Sequence, residues 1–258
     1  MFGSHGREHG NSGRGIVLLA LAPNGRLIVW DRLRFALAGS ELVRLAAAGR
    51  IDLVDGRIEV LAAAESDPGD EMLRVALDSI RRAEAAPRVE AWVSGRGQGI
   101  VDAYLASLDA AGVIRTERRR MLGLTLATRW YVSDSERQRL ARARLDEIAQ
   151  DGGIDENGEA LCTPEQAALG GLVGAIGLGA ELYPGPEGAA ARERLVAVGR
   201  FDGMPGVAAQ VAGAAALQAI REAVDAAMHI TIDAAIHAAE AATAHHAAHS
   251  VTVSGGHH

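Results

Sequence analysis

The chain has 258 residues, of which 48% are hydrophobic and 23% charged, and its formal net charge is −7. This composition excludes a largely disordered chain, and the negative balance argues against a protein that coats nucleic acid along its whole length. The single cysteine, Cys162, excludes an intramolecular disulfide and fits a reducing compartment. Because no uncharged apolar stretch reaches the roughly 18 residues of a membrane span, we expect a cytoplasmic protein, at most peripheral to a membrane.

The N-terminal part combines a polar leader with a first helix. Residues 1–14 are polar and glycine-rich, so we predict a disordered leader. An apolar element, Ile16 to Ala22, follows and ends at a Pro-Asn-Gly turn. A short β-like run, Leu27 to Trp30, then precedes a helix from about Phe35 to Ala48. A tryptophan at such a junction either fills the core or stands half exposed at a rim.

Two helix–hairpin units are predicted next along the chain. Apolar and charged residues alternate around Asp55-Gly56, which indicates a tight β-hairpin directly after the first helix. A second helix opens with Asp67 as its predicted N-cap. From Ile100 the earlier pattern returns, with a helix that ends at Gly112 and a longer ribbon after it. The unit therefore appears twice, at roughly 35–61 and 100–132.

The C-terminal half is predicted to be helical. An arginine-rich helix runs from Asp134 to about Ala149, and three Ala/Gly-rich helices follow at about Pro164 to Leu182, Glu187 to Val198 and Val207 to His249. The scattered glycines of "LGGLVGAIGLGAEL" contain no phosphate-binding motif, and they favour close approach between helices. Residues 250–258 are predicted to be a disordered tail.

The order of these motifs resembles the Golgi phosphoprotein 3 family. Trp30 precedes "FALAGSELVRLAAAGRI", which resembles a helix of that family, and Trp92 has a counterpart later in the chain. The other matching residues are Gly69, Asp70, Leu73, Ala76 and Leu77 at a helix start, Gly112, Val113 and Ile114 after a helix, and Leu122 to Leu124, Thr128, Arg129 and Tyr131 in the ribbon. The resemblance covers roughly residues 15–225.

The resemblance implies a mainly α fold, with helices packed around a central hydrophobic helix and small β-hairpins, one of them protruding at roughly 118–132. Residues 15–249 would form this single domain. Eukaryotic members bind phosphatidylinositol 4-phosphate through the tryptophan and several arginines, and their hairpin touches the bilayer or a second subunit. They are adaptors and not catalysts. We therefore expect a bacterial, non-enzymatic, peripheral membrane protein without cofactor or metal.

The predicted headgroup site centres on Trp30, which matches the family tryptophan. The arginines of the family fall elsewhere: one matches Ala38 or Gly39, and two others match Gln98 and Val101. Loss of such charge partners of a phosphate should cost several kcal/mol, so other arginines would have to replace them. The candidates near Trp30 are Arg32, Arg34, Arg44 and Arg96. Packing of Trp30 in the core remains the alternative.

The ribbon at 118–132 combines an apolar tip with a basic collar. Nine arginines and three acids lie between Arg115 and Arg144. Each basic side chain near an anionic membrane adds about 1 kcal/mol. We predict a membrane or oligomer contact through Arg118, Arg119, Arg120, Met121, Leu122, Leu124, Leu126, Arg129 and Trp130. A solvated helix beside an ordinary buried hairpin is the alternative.

Other functions have weaker support in the sequence. The repeated unit resembles a winged helix that binds DNA, but the helix before the ribbon carries Asp102 and Asp109 and no arginine. His245 and His249 are four residues apart, yet no carboxylate or cysteine completes a metal site. No nucleophile lies beside a base in a recognisable context, so the sequence does not predict an enzyme.

Overall fold

The computed structural model describes residues 12–62, 68–97, 99–121, 124–151, 163–199 and 210–226. The helices are α1 (Ser12–Ala20), α2 (Trp30–Ala47), α3 (Glu71–Arg81), α4 (Val89–Gly95), α5 (Gly99–Ala110), α6 (Ser135–Asp151), α7 (Pro164–Ala175), α8 (Leu178–Leu182) and α9 (Ala189–Val198). The strands are β1 (Ile51–Val54), β2 (Arg57–Val60), β3 (Ile114–Met121) and β4 (Leu124–Val132). The predicted mainly α fold with small β-hairpins is confirmed.

The chain divides into a large unit, Met1–Arg221, and a C-terminal unit, Glu222–His258. The large unit contains the elements α1 to α9, both hairpins and a helical stretch at 210–221. In the C-terminal unit, residues 222–226 are helical, and the rest of the predicted helix to His249 lies outside the described residues.

The central hydrophobic helix is α1. Its residues from Ile16 to Ala20 are all buried, and it packs against α2, α5, α6 and α7. A helical segment that is apolar on all sides, as Ile16 to Ala20 is, must be enclosed by other elements, which explains this position. Residues 12–14, which the sequence placed in the disordered leader, belong to α1.

Helix α2 begins at Trp30, five positions before the predicted start at Phe35. Val29 adopts a left-handed conformation with φ 49°, and its carbonyl accepts hydrogen bonds from the N–H groups of Arg32 and Leu33. A β-branched residue rarely takes this conformation, so local pattern could not locate the boundary. The predicted β-like run is reduced to one bridge between Leu21 and Leu27.

Both predicted helix–hairpin units are present. In the first, α2 leads into β1 and β2, and Asp55 and Gly56 both have positive φ, as a two-residue turn requires. In the second, α5 leads into β3 and β4, with a register irregularity between Arg119 and Arg120. Each hairpin is a separate two-stranded antiparallel sheet.

Close helix packing at the glycines of α7 is also confirmed. A Cβ added at Gly171 would lie 2.6 Å from the Cα of Gly199, directly after α9. One added at Gly170 would lie 2.9 Å from the side chain of Val198. The predicted helix from Pro164 to Leu182 is divided into α7 and α8, because Gly177 takes a left-handed conformation with φ 73°.

Candidate functional site

Two tryptophans from distant parts of the chain stack on each other. Trp30 is the first residue of α2 and Trp130 lies in β4, and their ring centroids are 6.0 Å apart with an interplanar angle of 15°. Trp30 is 36% exposed, so it lies at a rim and is not sealed in the core. The sequence assigned these residues to two separate sites, and the structure joins them.

The base of the second hairpin is fixed against the loop that precedes Trp30. The N–H of Trp130 donates to the carbonyl oxygen of Gly25 over 3.0 Å. Gly25 has φ 75°, and a Cβ there would lie 3.0 Å from Cβ of Arg129 and from the ring of Tyr131. Only glycine combines this conformation with so close an approach, so Gly25 sets the position of Trp130.

Alternation of side chains places Arg118 of the hairpin on the tryptophan face. Trp130 pairs with Thr116, and Arg118 pairs with Thr128, so these four residues lie on one face. Arg118 is exposed and has no acidic partner among the described residues. Arg129 lies on the opposite face, half-buried, where its Nη1 donates to the carbonyl oxygen of Thr128 over 3.2 Å.

Four arginines of the region from Arg115 to Arg144 form ion pairs with nearby acids, and none of the four belongs to the predicted set Arg118, Arg119, Arg120 and Arg129. In β3, Arg115 contacts Glu117 at 2.9 Å. Along α6 the ion pairs are Arg137–Asp134 at 3.2 Å, Arg139–Glu136 at 2.6 Å and Arg142–Asp146 at 3.0 Å. Three of these four acids are the three already counted between Arg115 and Arg144, so only Asp146 lowers the net positive charge of the region further. Arg118 and Arg129 form no ion pair with an acid in the described part of the chain, and of the two Arg118 is the exposed one.

The tip of the hairpin is described through its backbone pairing. The register pairs Arg119 with Ala127, Arg120 with Thr125 and Met121 with Leu124. Leu122 lies outside the described residues, as do the side chains of Arg119, Arg120, Met121, Leu124 and Leu126. The contribution of these side chains to a membrane contact stays a prediction.

The arginines predicted around Trp30 differ in their surroundings. Arg32 approaches Asp31 at 3.8 Å, and its Nη1 would lie 2.9 Å from a Cβ at Gly177. The guanidinium of Arg34 lies over the ring of Phe35, 4.5 Å from its centroid. Neither forms a close ion pair among the described residues, so both keep charge close to Trp30 in the chain.

Arg96 is held by a buried carboxylate instead. Its Nη2 donates to Oε2 of Glu41 at 2.9 Å and to Oε1 at 3.3 Å, while its guanidinium lies 5.4 Å from the ring centroid of Trp92. Glu41 is 0% exposed, and burial raises its pKa to about 7 although the charge of Arg96 opposes that rise. Arg96 therefore ties α4 to α2.

A second ion pair lies beside this one. Arg44 of α2 contacts Asp70 at 2.8 Å, and the other carboxylate oxygen of Asp70 accepts the N–H of Met72 at 2.9 Å. Asp70 is thus the N-cap of α3, and the predicted cap, Asp67, lies outside the described residues. Burial favours a higher pKa for Asp70, but the charge and hydrogen bond of Arg44 outweigh it and lower the pKa.

The described positions that match the family arginines, at Ala38 or Gly39 and at Val101, lie in the core. Ala38 and Val101 are fully buried, and Gln98 lies outside the described residues. A Cβ at Gly39 would lie 2.8 Å from the side chains of both Leu172 and Ile220. An arginine at Ala38, Gly39 or Val101 would displace packed side chains, so these positions leave no room for a phosphate-binding arginine.

The described residues also bear on the expectations about metal sites, membrane spans and DNA binding. Among the described residues, no group of His, Cys, Asp or Glu side chains could hold a metal ion, and His245 and His249 lie outside them. None of the helices described is both long enough and apolar enough to cross a membrane. On α5, Asp102 and Asp109 are exposed, and Asp109 accepts the N–H of Thr116 at 3.2 Å.

These features define a mainly α-helical protein with two helix–hairpin units and a surface of stacked tryptophans beside arginine. The family model of Golgi phosphoprotein 3 (GPP34) matches residues 14–227. The chain therefore belongs to the Golgi phosphoprotein 3 family, as its motif order predicted. No curated protein matches this chain. Membership of the family is consistent with a non-enzymatic, adaptor-like protein.

Proposed function

We propose that this protein associates peripherally with anionic membranes through the face of the second hairpin that carries Trp130 and Arg118. Trp30 extends that face onto the first turn of α2. In this role the protein is a non-enzymatic, adaptor-like protein at the cytoplasmic side of a membrane. The stacked pair of Trp30 and Trp130 is the observation that carries the proposal.

The chemistry of this face suits a membrane interface. Indole rings favour the headgroup region, because one part of the ring is apolar and its N–H can remain hydrated. Arg118 lies on the same face, towards the tip, and has an exposed guanidinium for lipid phosphate. The predicted apolar tip, with Met121 and Leu124 at the last pair of the register, lies farther along the same hairpin.

Charge, and not one particular headgroup, is the proposed basis of recognition. The cations near Trp30 are Arg32 and Arg34, whereas Arg96 is paired with Glu41. Because Ala38 and Val101, which match family arginines, are buried in the core, we do not propose a dedicated phosphoinositide pocket. We expect vesicles with phosphatidylinositol 4-phosphate to bind no tighter than phosphatidylserine vesicles of equal surface charge. A preference beyond tenfold would restore specific headgroup recognition.

Substitution of Arg118 tests the proposal. Arg118→Gln should weaken binding to vesicles with 30% phosphatidylserine about fivefold, because one charge near an anionic surface contributes about 1 kcal/mol. Co-sedimentation with vesicles at 50 mM and 300 mM salt measures the effect, and the wild type should bind less at the higher salt. Arg82→Gln makes the same change of charge at an exposed position after α3 and should bind like wild type.

Three outcomes would contradict the proposal. These are equal binding to neutral and anionic vesicles, no binding to either, or no difference between the Arg118 and Arg82 variants. The Arg118 variant could instead change the mass of the protein in analytical ultracentrifugation without a change in lipid binding. In that case the face is an interface between copies of the chain. Retardation of random duplex DNA at low salt would favour the winged-helix alternative.

A further inference from the structure

A concave site lies between α1, the loop that follows it and α6. Its cavity volume is about 340 Å³. The apolar part of the lining includes Leu19, Leu21, Ile28 and Leu182, and the polar part includes Ser135 and Arg139. Small-molecule sites have volumes of about 300–1,000 Å³, so this one matches a single small ligand or one alkyl chain and not a two-chain lipid.

Two of the polar side chains in the lining are already engaged in the fold. Nε2 of Gln138 donates to the carbonyl oxygens of Leu18 at 2.8 Å and Leu21 at 3.3 Å, which satisfies the C-terminal end of α1. Arg142 pairs with Asp146, donates to the carbonyl oxygen of Leu182 at 3.2 Å and stacks on Tyr183. These contacts shape the cavity wall and leave these two side chains few hydrogen-bond donors for a ligand.

Arg139 differs from them because its partner can be exchanged. It is exposed and pairs with Glu136, which is exposed as well. Exposed ion pairs of this kind contribute little to stability, since both groups are well solvated when apart. A ligand anion can therefore take the place of Glu136 at Arg139 at small cost, while the alkyl part covers the apolar lining.

We propose that this cavity binds a single-chain amphiphile with an acidic head, with its alkyl chain on Leu19, Leu21, Ile28 and Leu182 and its head at Arg139. The lining supplies the two halves of such a ligand side by side: apolar surface for the tail and an arginine for the head. The site is distinct from the tryptophan face and does not require membrane docking. The loop that contributes Ile28 also carries Gly25, which contacts the hairpin.

Dodecanoate below its micellar concentration is the probe. Isothermal titration of the full chain should show one saturable site with a Kd of about 10 µM to 1 mM, the range expected for a ligand of this size. Arg139→Gln should weaken binding about fivefold, since it removes the cation that meets the head. Ile28→Ser should weaken binding about tenfold, because it removes apolar surface from the cavity.

Matched controls separate this site from general effects. Arg74→Gln breaks another exposed i,i+3 pair, with Glu71 on α3, and Val75→Ser changes an exposed valine there, so both should bind dodecanoate like wild type. Arg118→Gln should also leave binding unchanged, which keeps this test independent of the membrane proposal. Dodecyltrimethylammonium, with the opposite charge, should bind at least fivefold more weakly. Absence of saturable binding, equal binding of both surfactants, or unchanged affinity in the Arg139 and Ile28 variants would overturn the inference.

Discussion

Replacement of Arg96 by methionine is expected to lower the free energy of unfolding by about 2–4 kcal/mol at pH 8. The change leaves Glu41 buried without its cation. Its carboxylate loses two hydrogen bonds, at 2.9 and 3.3 Å, and the contact of the guanidinium with Trp92 disappears as well. Methionine keeps much of the apolar volume of the arginine stem, so the loss reports the charge and the hydrogen bonds rather than a cavity.

The loss should shrink as the pH falls. The folded pKa of Glu41, about 7, lies above the ordinary value of 4.5 for this side chain, so the folded state holds this proton more tightly than the unfolded state. The contribution of this bound proton to the free energy of unfolding is fully present below about pH 4.5 and is lost as the pH rises through about 7. Without Arg96 the pKa of Glu41 rises further. The free energies of unfolding of the variant and the wild type therefore diverge above pH 7, by about 1.4 kcal/mol per pH unit. Asp70, whose pKa is lowered, titrates below this window.

Urea unfolding at pH 5.5 and at pH 8, followed by circular dichroism, measures the loss of stability and its dependence on pH. Arg74→Met, which breaks an exposed pair on α3, is the control and should change neither value. The double variant Glu41→Leu with Arg96→Met should recover part of the loss, because it leaves no buried charge. This expectation would be contradicted if Arg96→Met lowers the free energy of unfolding by less than about 0.5 kcal/mol at pH 8, or by the same amount at both pH values. Either result would show that Arg96 does not stabilise the buried carboxylate of Glu41.

Replacement of both Leu124 and Leu126 by aspartate should weaken binding to anionic vesicles about a hundredfold or more. The two changes remove apolar side chains from the predicted hairpin tip and add two negative charges near a negative surface. Leu124 begins β4 and pairs with Met121, at the end of the register farthest from Trp130. Co-sedimentation with the phosphatidylserine vesicles used for Arg118 gives the ratio of affinities.

Two exposed valines elsewhere provide the control for the tip. Val54, in the first hairpin, and Val75, on α3, are large exposed hydrophobic residues of the described part. Val54→Asp with Val75→Asp adds the same charge to the chain and should weaken binding no more than about fivefold. If the two double variants lose affinity equally, net charge alone explains binding and the hairpin tip has no special role.

Local signals predicted most of the fold. The Asp55-Gly56 turn and the alternation on either side define the first hairpin, and the same pattern of helix and strands recurs after α5. The spacing of the charged residues along α6 also indicated ion pairs that a count of charges does not reveal. Arg139 follows Glu136 by three positions and Arg142 precedes Asp146 by four, which are the separations at which helix side chains pair.

Tertiary contacts determined what the sequence missed. Trp30 and Trp130 meet only after the hairpin has docked at Gly25, and no local pattern joins them. Glu41, by contrast, did leave a signal. It is four residues from both Leu37 and Leu45, which share its buried face of α2, and a carboxylate on such a face requires a partner. The identity of that partner, Arg96, again depended on the fold.

Quenching of indole fluorescence by brominated lipid tests the membrane face most directly. The chain has three tryptophans, and Trp92→Phe leaves Trp30 and Trp130 as the fluorophores. On anionic vesicles with brominated acyl chains, we predict strong quenching that disappears in 300 mM salt, because both rings then leave the interface. A variant that co-sediments with these vesicles while its fluorescence stays unquenched would show that another surface meets the membrane.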